Sequence, residues 1–259
     1  MKTMLTIAGS DSSGGAGIQA DIKTATALGV FATSAITAIT AQNTTGVQAI
    51  FDLDGDIVAE EIRSVLTDIS PDAVKIGMVS SPEIIKIIGE ALAGYKGPVV
   101  LDPVMVATSG SPLLRDEAME SLKTVLFPLA TLLTPNIPEA ELLTDMKIES
   151  AADQEKAAKA LYDAYGASVL VKGGHGTGRA ADVFYDGNIH IFEKPMLDNP
   201  NTHGTGCTLS SAIASYLALG LDEAKAVEEA KNYVYDAIAD GLDLGRGRGP
   251  INHMVRRNK

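Results

Sequence analysis

With 259 residues, 46% of them hydrophobic and 21% charged, the chain is long enough for one large α/β domain with a sizeable core and too short for two comfortable ones. A formal net charge of −12 excludes a surface that embraces nucleic acid or anionic membrane, and any anionic ligand must find a local patch of N–H groups, lysine or metal. The lone cysteine, Cys207, rules out an intramolecular disulfide; the apolar stretch at the N-terminus is too short for a signal segment, and no run of about 18 apolar residues offers a membrane span, so a cytoplasmic protein is expected.

In chain order, Met4–Ala8 predicts a first strand, followed by a Gly/Ser turn and a helical pattern through Leu28. Phe31–Thr40 predicts a second strand, Asp56–Ile69 a helix, and Ala73–Ile76 a short strand before Gly77. Pro82–Ala93 predicts a helix opening on proline, Pro98–Leu101 a buried strand, and Ala130–Leu133 another. Helices are expected over Pro138–Thr144 and Ala151–Tyr165, with Ser168–Val171 as a strand. Asp182–Glu193 reads as a hairpin turning at Asp186-Gly187. Cys207–Leu219 and Asp222–Ala239 read as helices before a Gly-rich tail. Strands separated by helices argue for a mostly parallel central sheet with helices on both faces, in one domain spanning 1–259. In such a sheet ligands sit beyond the carboxyl ends of the strands, where Asp11, Gln42, Gly77-Met78, Asp102, Asn136 and Lys172 fall.

Four motifs bear on chemistry. Gly15–Ala20 fits the dinucleotide fingerprint, but the next strand ends in Thr40-Ala41-Gln42-Asn43 with no acid to hold a ribose. The same turn can serve packing, or let a flat ligand approach the backbone with Asp21 as a polar contact. Asn201–Thr208 (NTHGTGCT) runs into an apolar helix; glycines at 204 and 206 can turn N–H groups inward over a helix N-terminus, making an anion hole. A thiol at Cys207 is then expected to have a depressed pKa; the plainer alternative is a Gly-rich helix start with a buried cysteine. Lys172, after a buried strand and before two glycines, can reach phosphates or simply be solvated. Asp102, Asn136 and Glu139 can supply oxygen ligands for Mg²⁺, directly or through water, or act as caps and surface charges. The four histidines show no ligand spacing, and P-loop, zinc-hydrolase and serine-hydrolase signatures are absent. The Gly and Ser content of 107–112 and 174–181 permits loop closure.

Nearly end to end, the segments LTIAGSDSSGGAGIQADIKT, ITAQNTTGV, KIGM, LDPVM, TPNIPEAELL, VKGGH, NTHGTGCTLSSAIA and GPINH resemble the hydroxymethylpyrimidine/phosphomethylpyrimidine kinases of thiamine biosynthesis, within the ribokinase-like superfamily. The resemblance implies a ribokinase-like α/β fold, a homodimer, and MgATP-dependent phosphorylation of a pyrimidine alcohol and then of its monophosphate. It implies substrate contacts at Gly9, Asp21, Gln42, Met78, Val104 and Cys207. It places nucleotide and metal at Asp102, Asn136, Glu139, Lys172 and the Gly204-Thr205-Gly206-Cys207 loop. A glutamine at 42 can both donate to and accept from an aminopyrimidine edge, whereas pyridoxal-type relatives tend to carry an apolar residue there. Pyridoxal phosphorylation is the nearest alternative, and a non-catalytic pyrimidine-binding regulator the next.

Overall fold

A computed structural model describes residues 1–105, 117–173 and 179–255; Gly174 and His175 of the VKGGH motif and the segment 107–112 lie outside that set. Nine strands form one sheet: β1 (Thr3–Asp11), β2 (Phe31–Asn43), β3 (Gly46–Asp52), β4 (Ala73–Ile76), β5 (Val99–Leu101), β6 (Leu132–Leu133), β7 (Ser168–Val171), β8 (Arg179–Tyr185) and β9 (Ile189–Pro195), ordered β3-β2-β1-β4-β5-β6-β7-β8-β9. The central six run parallel, while β3, β8 and β9 are antiparallel additions at the two edges. The hairpin expected at Asp186-Gly187 is present. The sheet therefore matches the expected mostly parallel α/β architecture, with two findings beyond it. Strand β2 runs on to Asn43 and folds back as β3, and a helix occupies Ala118–Leu129.

The alternation of side chains along each strand sorts them between two cores. Leu5 and Ile7 of β1, Val74 and Ile76 of β4, Val99 and Leu101 of β5, and Val169 and Val171 of β7 pack on one face. There they meet α2 (Gly55–Asp68), α3 (Pro82–Leu92), α4 (Ala118–Ser121, continuing as a π-turn and a 3₁₀-turn to Leu129), α5 (Ile137–Thr144) and α6 (Ala151–Tyr165). The alternate residues Met4, Ala73, Val100 and Leu170 face α1 (Gly17–Ala27), α7 (Thr205–Ala218) and α8 (Glu223–Asp240). Side-chain oxygens at Asp54, Ser81, Asn136, Ser150 and Asp222 cap their helices by accepting first-turn N–H groups, which fixes where α2, α3, α5, α6 and α8 begin.

On the second face the core turns polar toward the carboxyl ends of the strands. Two residues beyond Met4 and Ala73 stand Thr6 and Lys75, and both donate to Asp21 Oδ2 of α1, at 2.6 and 2.8 Å. Lys75 and Asp21 are fully buried, and Asp21 Oδ1 has no hydrogen-bond partner among the described residues. Burial works against both charges: it pushes the Asp21 carboxyl up against the pull of Lys75, while Asp21 leads the groups that hold Lys75 charged. Lys75→Met strands the carboxylate and is expected to lower the unfolding free energy by about 3–5 kcal/mol. Lys75→Met combined with Asp21→Leu should recover most of that loss, and urea titrations of the two variants check the pair.

Candidate functional site

The carboxyl ends of β1, β2, β4, β5, β6 and β7 and the N-terminus of α7 meet at one end of the sheet. Helix α7 opens on Gly204, which holds φ +83°, and a Cβ there would lie 1.7 Å from the carbonyl oxygen of Gly15. Only glycine allows the turn after β1 to touch the turn before α7. Asp11, the last residue of β1, clamps the first of these turns. Its carboxylate accepts from the N–H groups of Ser13, Gly15 and Ala16, from the Ser13 hydroxyl, and from His203 at 2.8 Å. Burial alone would raise its pKa, but these donors, led by His203, hold it at about 2.

Across the cleft, Asp102 just past β5 receives Lys172 Nζ at 2.7 Å, the Thr134 hydroxyl at 3.0 Å and the Ser210 hydroxyl at 3.5 Å. Gly206 completes the group: a Cβ on it would be 3.5 Å from Asp102 Oδ2 and 3.6 Å from Lys172 Nζ. The Gly204–Cys207 turn therefore faces the lysine and the carboxylate. Asn136 and Glu139 form a reciprocal capping box at the start of α5, the Asn136 side chain accepting from Glu139 N at 2.9 Å and Glu139 accepting from Asn136 N at 2.8 Å. Asn136 also bridges to Lys172 in the sheet direction. Glu139 is buried and pushed up to about 7, by burial first and by the neighbouring Asp102 against the pull of Lys172. Lys172 is held charged by Asp102 and Glu139 in spite of its own burial. Among the described residues no cluster of three or more His, Cys, Asp or Glu could hold a metal ion.

The other half of the cleft brings together most of the residues expected to meet a ring. Gly9 lies against Met78, whose sulfur a Cβ on Gly9 would meet at 3.0 Å. The Met78 carbonyl is fixed by the Thr37 hydroxyl at 2.7 Å, and Val104 is folded back by its N–H on the Asp102 carbonyl at 2.8 Å. Gln42 follows a bulge in the β2–β3 ladder and lies beside His203 at 3.2 Å. Asp21 is placed differently: its carboxylate lies beneath the cleft, engaged by Thr6 and Lys75.

Cys207 corrects an expectation. Its place in the first turn of α7 predicted a depressed thiol, but burial pushes it up to about 11, with Asp21 and Asp102 adding to the rise and Lys75 only partly opposing it. Loss of hydration outweighs the opposing pull of Lys75 and of the Gly17 backbone hydrogen bond. Sequence reasoning also missed His203, Thr134 and Ser210. Their partners are remote in the chain, 192 residues for His203 and Asp11, and spacing carries no signal for such contacts. A tail segment is part of the same structure: Gly249 N–H donates to Asn201 Oδ1 at 2.8 Å, His203 N–H donates to the Gly249 carbonyl at 3.1 Å, and the N–H groups of Arg246 and Gly247 reach the Thr44 hydroxyl.

Comparison with known proteins gives one answer at the level of family. The family model described as phosphomethylpyrimidine kinase matches residues 11–252. A hydroxymethylpyrimidine/phosphomethylpyrimidine kinase of Streptomyces coelicolor is 48% identical over 252 residues, covering 96% of this chain and 93% of that one. Among solved structures, a phosphomethylpyrimidine kinase from Clostridium difficile 630 superposes with a TM-score of 0.82 at 49% identity, covering 92% of this chain and all of the other. An ADP complex of Bacillus subtilis pyridoxal kinase superposes with a TM-score of 0.92 at 35% identity, over the full length of both. With a cleft of this construction and a match across nearly its whole length, the chain belongs to the phosphomethylpyrimidine kinase family.

Proposed function

We propose that this protein is an ATP-dependent kinase of thiamine biosynthesis that phosphorylates 4-amino-5-hydroxymethyl-2-methylpyrimidine and then converts the monophosphate to the diphosphate. The observation that carries the reading is the meeting of two half-sites in one cleft: Gly206 beside Lys172 and Asp102 on one side, Gly9 on Met78 with Gln42 nearby on the other. The first suits phosphates and the second a flat polar ring.

Phosphoryl transfer asks mainly for positioning and charge neutralisation. The N–H groups of the Gly204–Cys207 turn and the start of α7 would take the phosphoryl group in flight, with Lys172 as a point charge on the nucleotide phosphates. Two buried carboxylates, Asp102 and Glu139, face one lysine, and Asp102 adds to the upward shift that burial gives Glu139. That imbalance fits Mg²⁺, which Asp102, Glu139 and Asn136 would hold largely through water and phosphate oxygens. When bound, Mg²⁺ offsets charge on the phosphate oxygens. Met78 and Gly9 would take the faces of the ring, Gln42 its amino edge, and Val104 the remaining side. Asp21 acts from below, through Lys75. The Cys207 thiol, protonated at neutral pH in the free chain, meets the hydroxymethyl group as an S–H and not as a standing thiolate base.

The reading takes 1–259 as one kinase domain, supported by the single nine-stranded sheet. It takes the protein as a cytoplasmic homodimer. No described helix is long and apolar enough to cross a membrane, and the β2–β3 edge exposes Ile39, Ile50 and Phe51, an apolar face suited to a second copy. Sedimentation as a monomer at micromolar concentration would overturn the dimer.

The close shape match to a pyridoxal kinase gives a second reading, phosphorylation of pyridoxal in the same cleft. A non-catalytic regulator is disfavoured by the intact set of Lys172, Asp102, Glu139 and the Gly204–Cys207 turn. Mass spectrometry of products formed with MgATP from the pyrimidine, its monophosphate and pyridoxal decides among the three. Diphosphate is the expected product; phosphorylation of pyridoxal alone sinks the pyrimidine assignment, and binding without turnover supports a regulator.

Two further outcomes follow from the site. Lys172→Met should lower kcat about 10²- to 10³-fold with pyrimidine binding retained, by steady-state kinetics and calorimetry. Iodoacetamide alkylation of Cys207 should keep accelerating as pH rises toward about 11. A plateau near neutral pH would restore the depressed thiolate.

A further inference from the structure

The main chain of Gln42 is pinned before any ligand arrives. Its N–H donates to the Ser12 hydroxyl at 2.8 Å, and its carbonyl accepts from that hydroxyl at 2.8 Å. Its side chain touches two more groups, His203 Nε2 at 3.2 Å from Gln42 Nε2 and the Thr40 hydroxyl at 3.2 Å from Gln42 Oε1. Counting protons shows that these contacts are incompatible with one another in that sense of the amide. The His203 nitrogen is also 2.8 Å from Asp11 Oδ2, and an ionised carboxylate can only accept, so His203 Nε2 carries hydrogen and cannot accept from Gln42. Asp11 is ionised because five further donor contacts from Ser13, Gly15 and Ala16 converge on it. The Thr40 hydroxyl has one hydrogen and faces two acceptors, Gln42 Oε1 and the Ser10 carbonyl at 3.0 Å.

A half-turn of the amide exchanges its oxygen and nitrogen, leaves the heavy-atom shape unchanged, and replaces the donor-to-donor contact with a donor-to-acceptor one. Gln42 Oε1 then faces the His203 N–H as a second acceptor beside Asp11 Oδ2, a shared three-centre contact. Gln42 Nε2 donates to Thr40, which passes its own hydrogen to Ser10. The opposite sense sets two N–H donors against each other and leaves the Thr40 hydrogen between two acceptors.

We infer that Asp11, His203 and Thr40 are positioning residues that lock the Gln42 amide in one sense, and that this lock makes the cleft select a 4-aminopyrimidine over its 4-oxo counterpart. The inference rests on the proposed reading that Gln42 meets the pyrimidine edge. An unrestrained glutamine flips its amide at little cost and serves either ligand. The 4-amino ring presents a donor beside an acceptor nitrogen, and the 4-oxo ring presents an acceptor beside an N–H, the reverse order. After its two internal contacts, the locked amide has one N–H and one oxygen lone pair left, in fixed order. It matches one ring and opposes donor to donor and acceptor to acceptor in the other. His203 does this from outside the set of ring contacts, and its own ring is seated against Gly15, where a Cβ would lie 2.4 Å from the imidazole.

The test compares kcat/KM for the 4-amino and 4-oxo hydroxymethylpyrimidines in the full-length protein and in Gln42→Leu, Thr40→Val and His203→Phe. The amino/oxo ratio should fall about tenfold or more in Gln42→Leu, the range expected when a two-point edge contact is lost. It should also fall in Thr40→Val and His203→Phe, mainly through KM for the pyrimidine, with KM for ATP unmoved. A purely structural role lowers both substrates together and leaves the ratio alone. Thermal melting identifies folded variants, and either of the two anchor variants is sufficient. If Gln42→Leu collapses the ratio and the folded anchor variants do not, the lock is overturned while the pyrimidine reading stands. If Gln42→Leu leaves the ratio unchanged, Gln42 does not read the ring edge, and both fall.

Discussion

The contact between two glycine turns governs this cleft. The Gly204 backbone lies so close to the Gly15 carbonyl that a single carbon atom would not fit between them. The turn after β1 and the turn before α7 are thereby fixed relative to each other. Through them the side of the cleft built from β1, β2 and β4 is held in register with the side built from β5, β7 and α7, the proposed ring and phosphate sides. Asp11 reinforces the contact by binding three N–H groups of one turn and the His203 ring of the other. A carboxylate with so many donors is held at low pKa, and its charge organises backbone that would otherwise have many conformations open to it.

Beneath the cleft, hydrophobic packing gives way to electrostatics. The faces that bury Met4 and Ala73 carry Thr6 and Lys75 one pleat further on, and α1 supplies Asp21 to meet them. The pair is net neutral, so it adds rigidity and direction to the floor without adding charge to it. On the phosphate side the balance differs: Lys172 is shared between Asp102 and Glu139, leaving an acidic excess there. The sheet thus separates a neutral, directional pocket from a charged one within a single cleft, which is the division that joining a flat ring to a polyphosphate demands.

Much of this was legible in the sequence, for reasons that differ by element. The buried parallel strands β4 and β7 are short apolar runs bounded by turns, and their ends agree with the structure to the residue. Strand β3 went unread because an edge strand need not alternate: most of Gly46–Asp52 is exposed. The helix at Ala118–Leu129 was obscured because it passes through a π-turn and ends in a 3₁₀-turn at Phe127-Pro128, which blurs the 3.6-residue period. In the site, positions at strand ends gave Gln42, Met78, Asp102, Asn136 and Lys172, because topology alone brings such residues together. Pairings did not follow. Lys75 reads as one more strand residue, and His203 as a histidine without ligand spacing, until the fold brings Asp21 and Asp11 to them. The thiol of Cys207 was misjudged, since its desolvation is a property of the packed neighbours and not of the helix position.

The tail crossing from Thr44 to Asn201 and His203 has a consequence for how the molecule is made. Residues 246–250 close the two loops on which Gln42 and Gly204 stand. A chain growing from its N-terminus can assemble β1 through β7 and still lack the strap that seats His203. The cleft is therefore not closed until residues 246–250 have joined these loops, and a chain lacking them would hold the sheet without a finished site.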